Sequence, residues 1–174
     1  MQPLRCARMG RIREEVEIEA SADRVWAVVH GDIPNLTRWS DNLAHAEVIG
    51  GGSVRKGSEL RYDVKTVGGR TAALMLLVEQ FDEPRLCAGR MTSGPVEGSW
   101  SWSYREDGKI TRVVYESELK VEGLLRFAGA VIERDLRNRM RGNLDNLKAY
   151  VEASRGPKNG HVAGNPAPGS RNAV

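Results

Sequence analysis

From residue 124 to residue 153 the chain reads LLRFAGAVIERDLRNRMRGNLDNLKAYVEA, and the spacing within this stretch decides the fold. Leu125, Ala128, Ile132, Leu136, Met140, Leu144, Leu147 and Val151 recur at steps of three and four, which places them on one stripe of a single helix. At 1.5 Å per residue such a helix extends to about 45 Å, more than one short neighbouring helix can cover. Arg134, Arg137, Arg141, Asp145 and Lys148 occupy the opposite side, so the helix is neither buried all round nor suited to span a membrane. It requires a broad apolar surface along one side, and a β-sheet supplies one.

The residues upstream read as that sheet. Ile12, Val16 and Ile18 alternate with Arg13, Glu15, Glu17 and Glu19, the pattern of a strand with one face in water. Ser21 is placed to cap a short helix carrying Val25, Trp26, Val28 and Val29. Asp32 with Pro34 reads as the start of a second helix whose apolar side is Leu36, Trp39 and Leu43. Six further strands are predicted at residues 45–49, 60–67, 72–81, 86–93, 99–105 and 110–121, bounded by Gly50-Gly51-Gly52, Gly68-Gly69, Asp82-Glu83-Pro84, Gly94-Pro95 and Asp107-Gly108. Connections this short join antiparallel neighbours, because parallel strands need long crossovers. The expected fold class is α+β: a curved antiparallel sheet of about seven strands wrapped around the long C-terminal helix, with two short helices after the first strand.

A chain of 174 residues, 40% hydrophobic and 28% charged, fits one globular domain. Residues 1–10 read as an N-terminal extension, 11–154 as the domain, and 155–174, rich in Gly and Pro without apolar periodicity, as a disordered tail. The net charge of +3 is mild, and no groove-reading or base-stacking motif accompanies it, so nucleic acid is not expected as a partner. Cys6 and Cys87 are too few for a disulfide framework. The first eleven residues hold no apolar run of signal-peptide length, which leaves a cytoplasmic address as the expectation. Membrane contact has no specific indication, and a monomer or weak dimer is expected.

Which side of the sheet faces the helix follows from strand parity. A two-residue Asp107-Gly108 loop pairs Glu106 with Lys109, and Tyr104, Trp102 and Trp100 then oppose Thr111, Val113 and Tyr115. These side chains share one face, while Ser99, Ser101, Ser103, Arg112, Glu116 and Glu118 share the other. The aromatic face must be the inner one. Equivalent parity turns Leu60, Tyr62, Val64 and Thr66 inward. Hydroxyls from Tyr62, Thr66, Tyr104, Thr111, Tyr115 and Ser117 therefore stud an apolar wall. Two readings stay open: a small-molecule pocket with a few orienting polar groups, or a packed core whose hydroxyls are satisfied by backbone or buried water.

With this arrangement the chain resembles the START-like superfamily, also called the helix-grip or SRPBCC fold, and within it the polyketide cyclase/dehydrase and lipid transport family. The resemblance covers roughly residues 11–153. It rests on the opening Val16-Glu17-Ile18-Glu19-Ala20-Ser21-Ala22-Asp23-Arg24-Val25-Trp26, on Trp39, on Ser93-Gly94-Pro95 ahead of the Trp-rich strand, and on Leu144, Leu147 and Tyr150 of the closing helix. It implies a deep cup for an apolar ligand such as a lipid, sterol, quinone or polyketide, with the long helix as one wall. Parity and resemblance together nominate Trp39, Tyr62, Val64, Trp100, Trp102, Tyr104, Val113, Tyr115, Ser117, Ala128, Ile132 and Leu136 as ligand-binding residues. The strand Gly98-Ser99-Trp100-Ser101-Trp102-Ser103-Tyr104-Arg105 looks like the pocket-lining strand of aromatase/cyclase members. Where those enzymes are thought to carry a tyrosine and an arginine, this sequence has Leu43 and the Glu79-Gln80 region. The expected function is binding or transport of a small hydrophobic molecule. A polyketide aromatase/cyclase or dehydratase is the second reading, and a non-catalytic chaperone for quinone or protein partners the third.

Few residues offer independent chemistry, and no catalytic residue is nominated. His30, His45 and His161 show no metal or triad spacing, so neither a metal nor a cofactor is expected. His45 reads more simply as a partly exposed strand histidine than as an acid or base, and Cys87 near Met91 as a small buried hydrophobe. Glu79 and Arg90 would hold a polar ligand head if they faced inward and form a surface ion pair if they faced outward, the simpler case. The run around Lys56-Gly57-Ser58 has the wrong order for a phosphate loop. Arg134, Arg137, Arg139 and Arg141 read as a solvated helix face.

Overall fold

The computed structural model of the protein describes residues 8–66, 69–121 and 129–154. Strand β1 (Arg8–Ile18) is followed by helix α1 (Ala22–Trp26), a π-helical turn (Ala27–Gly31) and a 3-10 helix (Ile33–Arg38). Six strands come next: β2 (Leu43–Val48), β3 (Glu59–Lys65), β4 (Thr71–Asp82), β5 (Leu86–Ser93), β6 (Glu97–Asp107) and β7 (Ile110–Val121). Helix α2 (Gly129–Ala153) is the last element among the described residues. All seven strands form one sheet in the order β1-β7-β6-β5-β4-β3-β2, antiparallel at every step. The sheet curls into a half-barrel around α2, which is the helix-grip fold. Register shifts in β2 and β4 act as bulges that strengthen the twist this curl needs.

Local signals explain the elements. Ser21 takes the N-cap of α1, its Oγ accepting from the Arg24 N–H at 3.4 Å. The second short helix is 3-10 instead of α, with Pro34 in its first turn and Trp39 at its C-cap. Leu43, assigned from sequence to that helix, opens β2 instead. Strand β1 starts at Arg8, earlier than its alternation indicates, because its first residues pair with the far end of β7. Strand β3 ends at Lys65, where Thr66 closes the hairpin through its N–H and Oγ1, both donating to the Arg70 carbonyl.

One register differs from the sequence expectation. Asp107 pairs with Ile110, so the turn residues are Gly108 and Lys109. With Gly first, the positive φ of 62° falls on the residue that adopts it at no steric cost, whereas an Asp-Gly loop would have forced it on Asp107. The ladder moves by two residues: Trp102 opposes Tyr115, Trp100 opposes Ser117 and Tyr104 opposes Val113. A two-residue slip preserves the face of every side chain, so the aromatic face still points inward.

The core is tightest beneath the C-terminal half of α2, where Leu144, Leu147 and Val151 are buried in one cluster with Ile18, Val25 and Trp26. Leu136 and Met140, further back on the stripe, are only half-buried. The arginine side of α2 is not simply solvated. Glu14 lies on the inner parity of β1 with Ile12 and Ile18, is 8% exposed, and accepts from Arg141 Nε at 3.0 Å with Arg137 Nε 3.7 Å away. Arg137 and Arg139 also pair with Glu133 and Asp135 one turn back.

Candidate functional site

Beneath α2 lies a cavity of about 120 Å³. Its floor is the inner face of the sheet: Leu60, Tyr62 and Val64 from β3, Leu74 and Leu76 from β4, Met91 from β5, Trp100 and Trp102 from β6, and Tyr115 from β7. The π-turn and 3-10 helix close one side with Val29, His30, Leu36 and Trp39, and α2 contributes Met140 and Asn143. Ser40 and Asn42, on the connection into β2, complete the polar part of the wall. Aromatic edges shape it: Trp102 meets Trp39 and Tyr115 edge-on, with ring centroids 6.3 Å and 5.0 Å apart. Gly89 makes room for Trp100, since a Cβ there would sit 3.1 Å from its ring.

None of the lining residues carries a formal charge near neutral pH. His30 is buried against Trp26, Phe81 and Tyr104, and burial pushes its pKa down to about 3, leaving the imidazole neutral. Its Nε2 lies 2.9 Å from the Tyr104 hydroxyl. Which of the two groups donates in this bond depends on the tautomer of the neutral imidazole. Burial raises the pKa of Tyr62, Tyr104 and Tyr115 as well. Cys87, fully buried on β5, is pushed up to about 12 by burial and stays a thiol. The indole N–H groups of Trp39 and Trp100 are buried without a hydrogen-bond partner among the described residues, an arrangement that costs about 1–3 kcal/mol each.

A cluster of polar side chains interrupts the apolar wall. Asn42 Oδ1 accepts from Ser40 Oγ and from Asn143 Nδ2, each at 2.7 Å. Ser40 and Asn143 are both buried. Asn143 lies in phase with the helical stripe, three residues after Met140 and four before Leu147.

Six of the residues nominated from sequence line the cavity: Trp39, Tyr62, Val64, Trp100, Trp102 and Tyr115. Three others face inward behind the wall. Tyr104 is held by His30, Val113 is fully buried, and Ser117 sits beneath Trp100 with a hydrogen bond to the Tyr115 hydroxyl. Leu136 packs on the core cluster without reaching the cavity. Ala128 and the side chain of Ile132 lie outside the described residues. The hydroxyl of Thr111 donates to the Ala20 carbonyl at 2.7 Å, so it is a structural group. Glu79 and Arg90 face outward as an exposed pair, Nε to Oε1 3.4 Å. His45 is likewise exposed, 3.8 Å from Glu47. The sequence reading missed His30, Ser40, Asn42 and Asn143. The signals were an in-phase asparagine on α2, and a histidine four residues after Trp26 on the buried side of the short helical segment.

The family described as polyketide cyclase / dehydrase and lipid transport matches residues 9–152. The chain belongs to this family. Solved structures share its fold. It is similar to a START superfamily protein from Mycobacterium smegmatis, with a TM-score of 0.69 and 18% identity over 82% of this chain and 97% of that one. It is similar to the Zhui aromatase/cyclase from a Streptomyces species, with a TM-score of 0.72 and 19% identity over 88% of this chain and 100% of that one. A major latex-like protein from Panax ginseng shares the fold at a TM-score of 0.62 and 10% identity, covering 82% of this chain and 97% of that one. No curated protein sequence matches. Among the described residues, no helix is long and apolar enough to cross a membrane, and no group of three or more His, Cys, Asp or Glu side chains is placed to hold a metal ion.

Proposed function

We propose that the protein binds a small, uncharged, largely apolar molecule in the cavity beneath α2, as a carrier or binding protein and not as a catalyst. The observation that carries this reading is the wall itself. Its ionisable groups, His30, Tyr62 and Tyr115, are all held neutral by burial. A carboxylate or phosphate entering the cavity would lose its water and gain no counter-charge, which is costly, whereas an apolar ring gains roughly 25 cal/mol per Å² of surface removed from water. Membership of a family described by lipid transport as well as cyclisation supports the same reading. Of the ligand classes expected from sequence, a compact polyketide- or quinone-like ring suits a cavity of about 120 Å³ better than a long acyl chain.

Cyclase or dehydratase chemistry is the second reading, and the observation in its favour is the hydrogen-bonded His30–Tyr104 pair at the cavity wall. An imidazole held neutral down to about pH 3 is a weak base at pH 7, because general bases work best with a pKa near the operating pH. Turnover of a reactive polyketone that disappears in His30→Gln would establish catalysis.

Titration calorimetry with naphthalene and 2-naphthoate tests the proposal. Naphthalene is expected to bind at roughly micromolar Kd and 2-naphthoate at least tenfold more weakly. Trp102→Ala, which opens the wall between Trp39 and Tyr115, is expected to shift preference toward bulkier rings. Absence of naphthalene binding, or equal affinity for the carboxylate, would refute the proposal.

A further inference from the structure

We propose that the Tyr62 hydroxyl selects the ligand by donating a hydrogen bond to a neutral oxygen on it, in the simplest case a ketone. This rests on the cavity being a binding site for apolar molecules. The polar groups of the wall divide into those already engaged and those left over. Ser40, Asn42 and Asn143 bond one another, His30 bonds Tyr104, and Tyr115 is bonded by Ser117. The indole N–H groups of Trp39 and Trp100 are buried with no partner, and among the described residues the side chains of Tyr62 and Trp102 make no hydrogen bond. An indole can only donate, and a phenol hydroxyl carries one proton to give. What the unengaged groups share is the lack of an acceptor, and a ligand that brings one meets that need.

Of these groups Tyr62 is the best placed. It sits midway along β3 on the cavity floor, between Leu60 and Val64. Its cross-strand neighbours are Ala46 on β2 and Leu74 on β4, whose side chains hold no polar atom. Trp39 and Trp100 are each 5% exposed, with their N–H groups sealed into the wall, whereas Tyr62 is half-buried. Burial raises its pKa, so the proton stays on the phenol. A desolvated hydroxyl without a partner is unfavourable, and a ligand oxygen removes that cost while a hydrocarbon leaves it in place. A carboxylate would also accept, but among the described residues no lining side chain carries a positive charge to offset its lost hydration. The ligand that fits is an apolar body bearing a neutral acceptor.

The experiment is calorimetry on the full chain at pH 7 with tetralin and 1-tetralone, a pair matched except for the carbonyl, for the wild type and for Tyr62→Phe. The affinity for 1-tetralone relative to tetralin is expected to fall roughly tenfold in Tyr62→Phe, the worth of about one hydrogen bond, while tetralin affinity holds or improves. Infrared spectroscopy reads the contact itself: the carbonyl stretch of bound 1-tetralone should lie lower in the wild type than in hexane and move back in Tyr62→Phe. Because the hydroxyl has no protein partner to lose, Tyr62→Phe should melt no lower than the wild type; if it does not fold, the wild-type stretch decides. An unchanged ratio, a stretch at its hexane value, or binding of tetralin alone by the wild type would overturn the assignment of Tyr62. Failure of both compounds to bind the wild type would overturn the binding-site reading, and this inference with it.

Discussion

Acidification should unfold this protein partly through His30. The imidazole is 6% exposed, ringed by Trp26, Phe81 and Tyr104, and its pKa is about 3 against an ordinary 6.5. The folded value lies below the unfolded one, so between pH 6.5 and 3 the unfolded chain binds more protons and stability falls as pH falls. Above pH 6.5 the contribution is complete and flat. Over the 1.5 pH units from 6.5 down to 5, at about 1.4 kcal/mol per unit, His30 alone should remove about 2 kcal/mol. For a chain of this size that is about 4–8 °C in Tm. His30→Gln supplies an amide for the Tyr104 hydroxyl but cannot titrate, so it should lower stability at pH 8 and flatten the slope between pH 6.5 and 5. Urea unfolding of both proteins at pH 8, 7, 6 and 5 measures this. Carboxylates titrate alike in the two proteins, so the difference between the curves isolates the histidine. Parallel curves from pH 8 to 5 would mean that His30 accepts a proton in the folded state, and the burial argument would fail.

Two further outcomes concern how the sheet and helix are built. Glu14→Ala should destabilise by about 2 kcal/mol in urea unfolding, and Glu14→Leu by less. An apolar side chain fills the inner face of β1, while Arg137 and Arg141, 42% and 64% exposed, turn to water; equal losses would contradict this. Gly89→Ala should cost more than about 3 kcal/mol or prevent folding, because its Cβ would lie 1.8 Å from the Leu77 carbonyl oxygen. Gly142→Ala, on the exposed side of α2 with nothing within 4 Å, should instead stabilise by about 0.5–1 kcal/mol; a helix-wide loss of stability there would contradict the open space.

Much of the architecture was readable along the chain because its causes are local. Alternation over Ile12–Glu19, the glycine pairs and Asp-Gly between strands, and the stripe from Leu136 to Val151 each act within a few residues. Parity then carried Trp100, Trp102, Tyr62 and Tyr115 to the inner face without knowledge of the partner strand, and a slip of two residues in the β6–β7 hairpin left that assignment intact. Family resemblance came from the same order and spacing, and the match over residues 9–152 agrees with it.

Only the tertiary structure decided which polar groups meet. His30 and Tyr104 are 74 residues apart in sequence and Asn42 and Asn143 are 101 apart, and no periodicity links such pairs. Whether an inward hydroxyl reaches a cavity or a carbonyl also depends on its neighbours: Thr111 finds Ala20 and Ser117 finds Tyr115, while Tyr62 lines the cavity. The register shift between Val78 and Gln80, where β4 opposes β5 with an extra residue, leaves Glu79 and Gln80 both exposed, which simple alternation would not give. Sequence pattern determines which face of an element is apolar because side-chain direction repeats with the backbone. The fit of one face against another, and the gap left between them, depends on side chains brought together from distant parts of the chain.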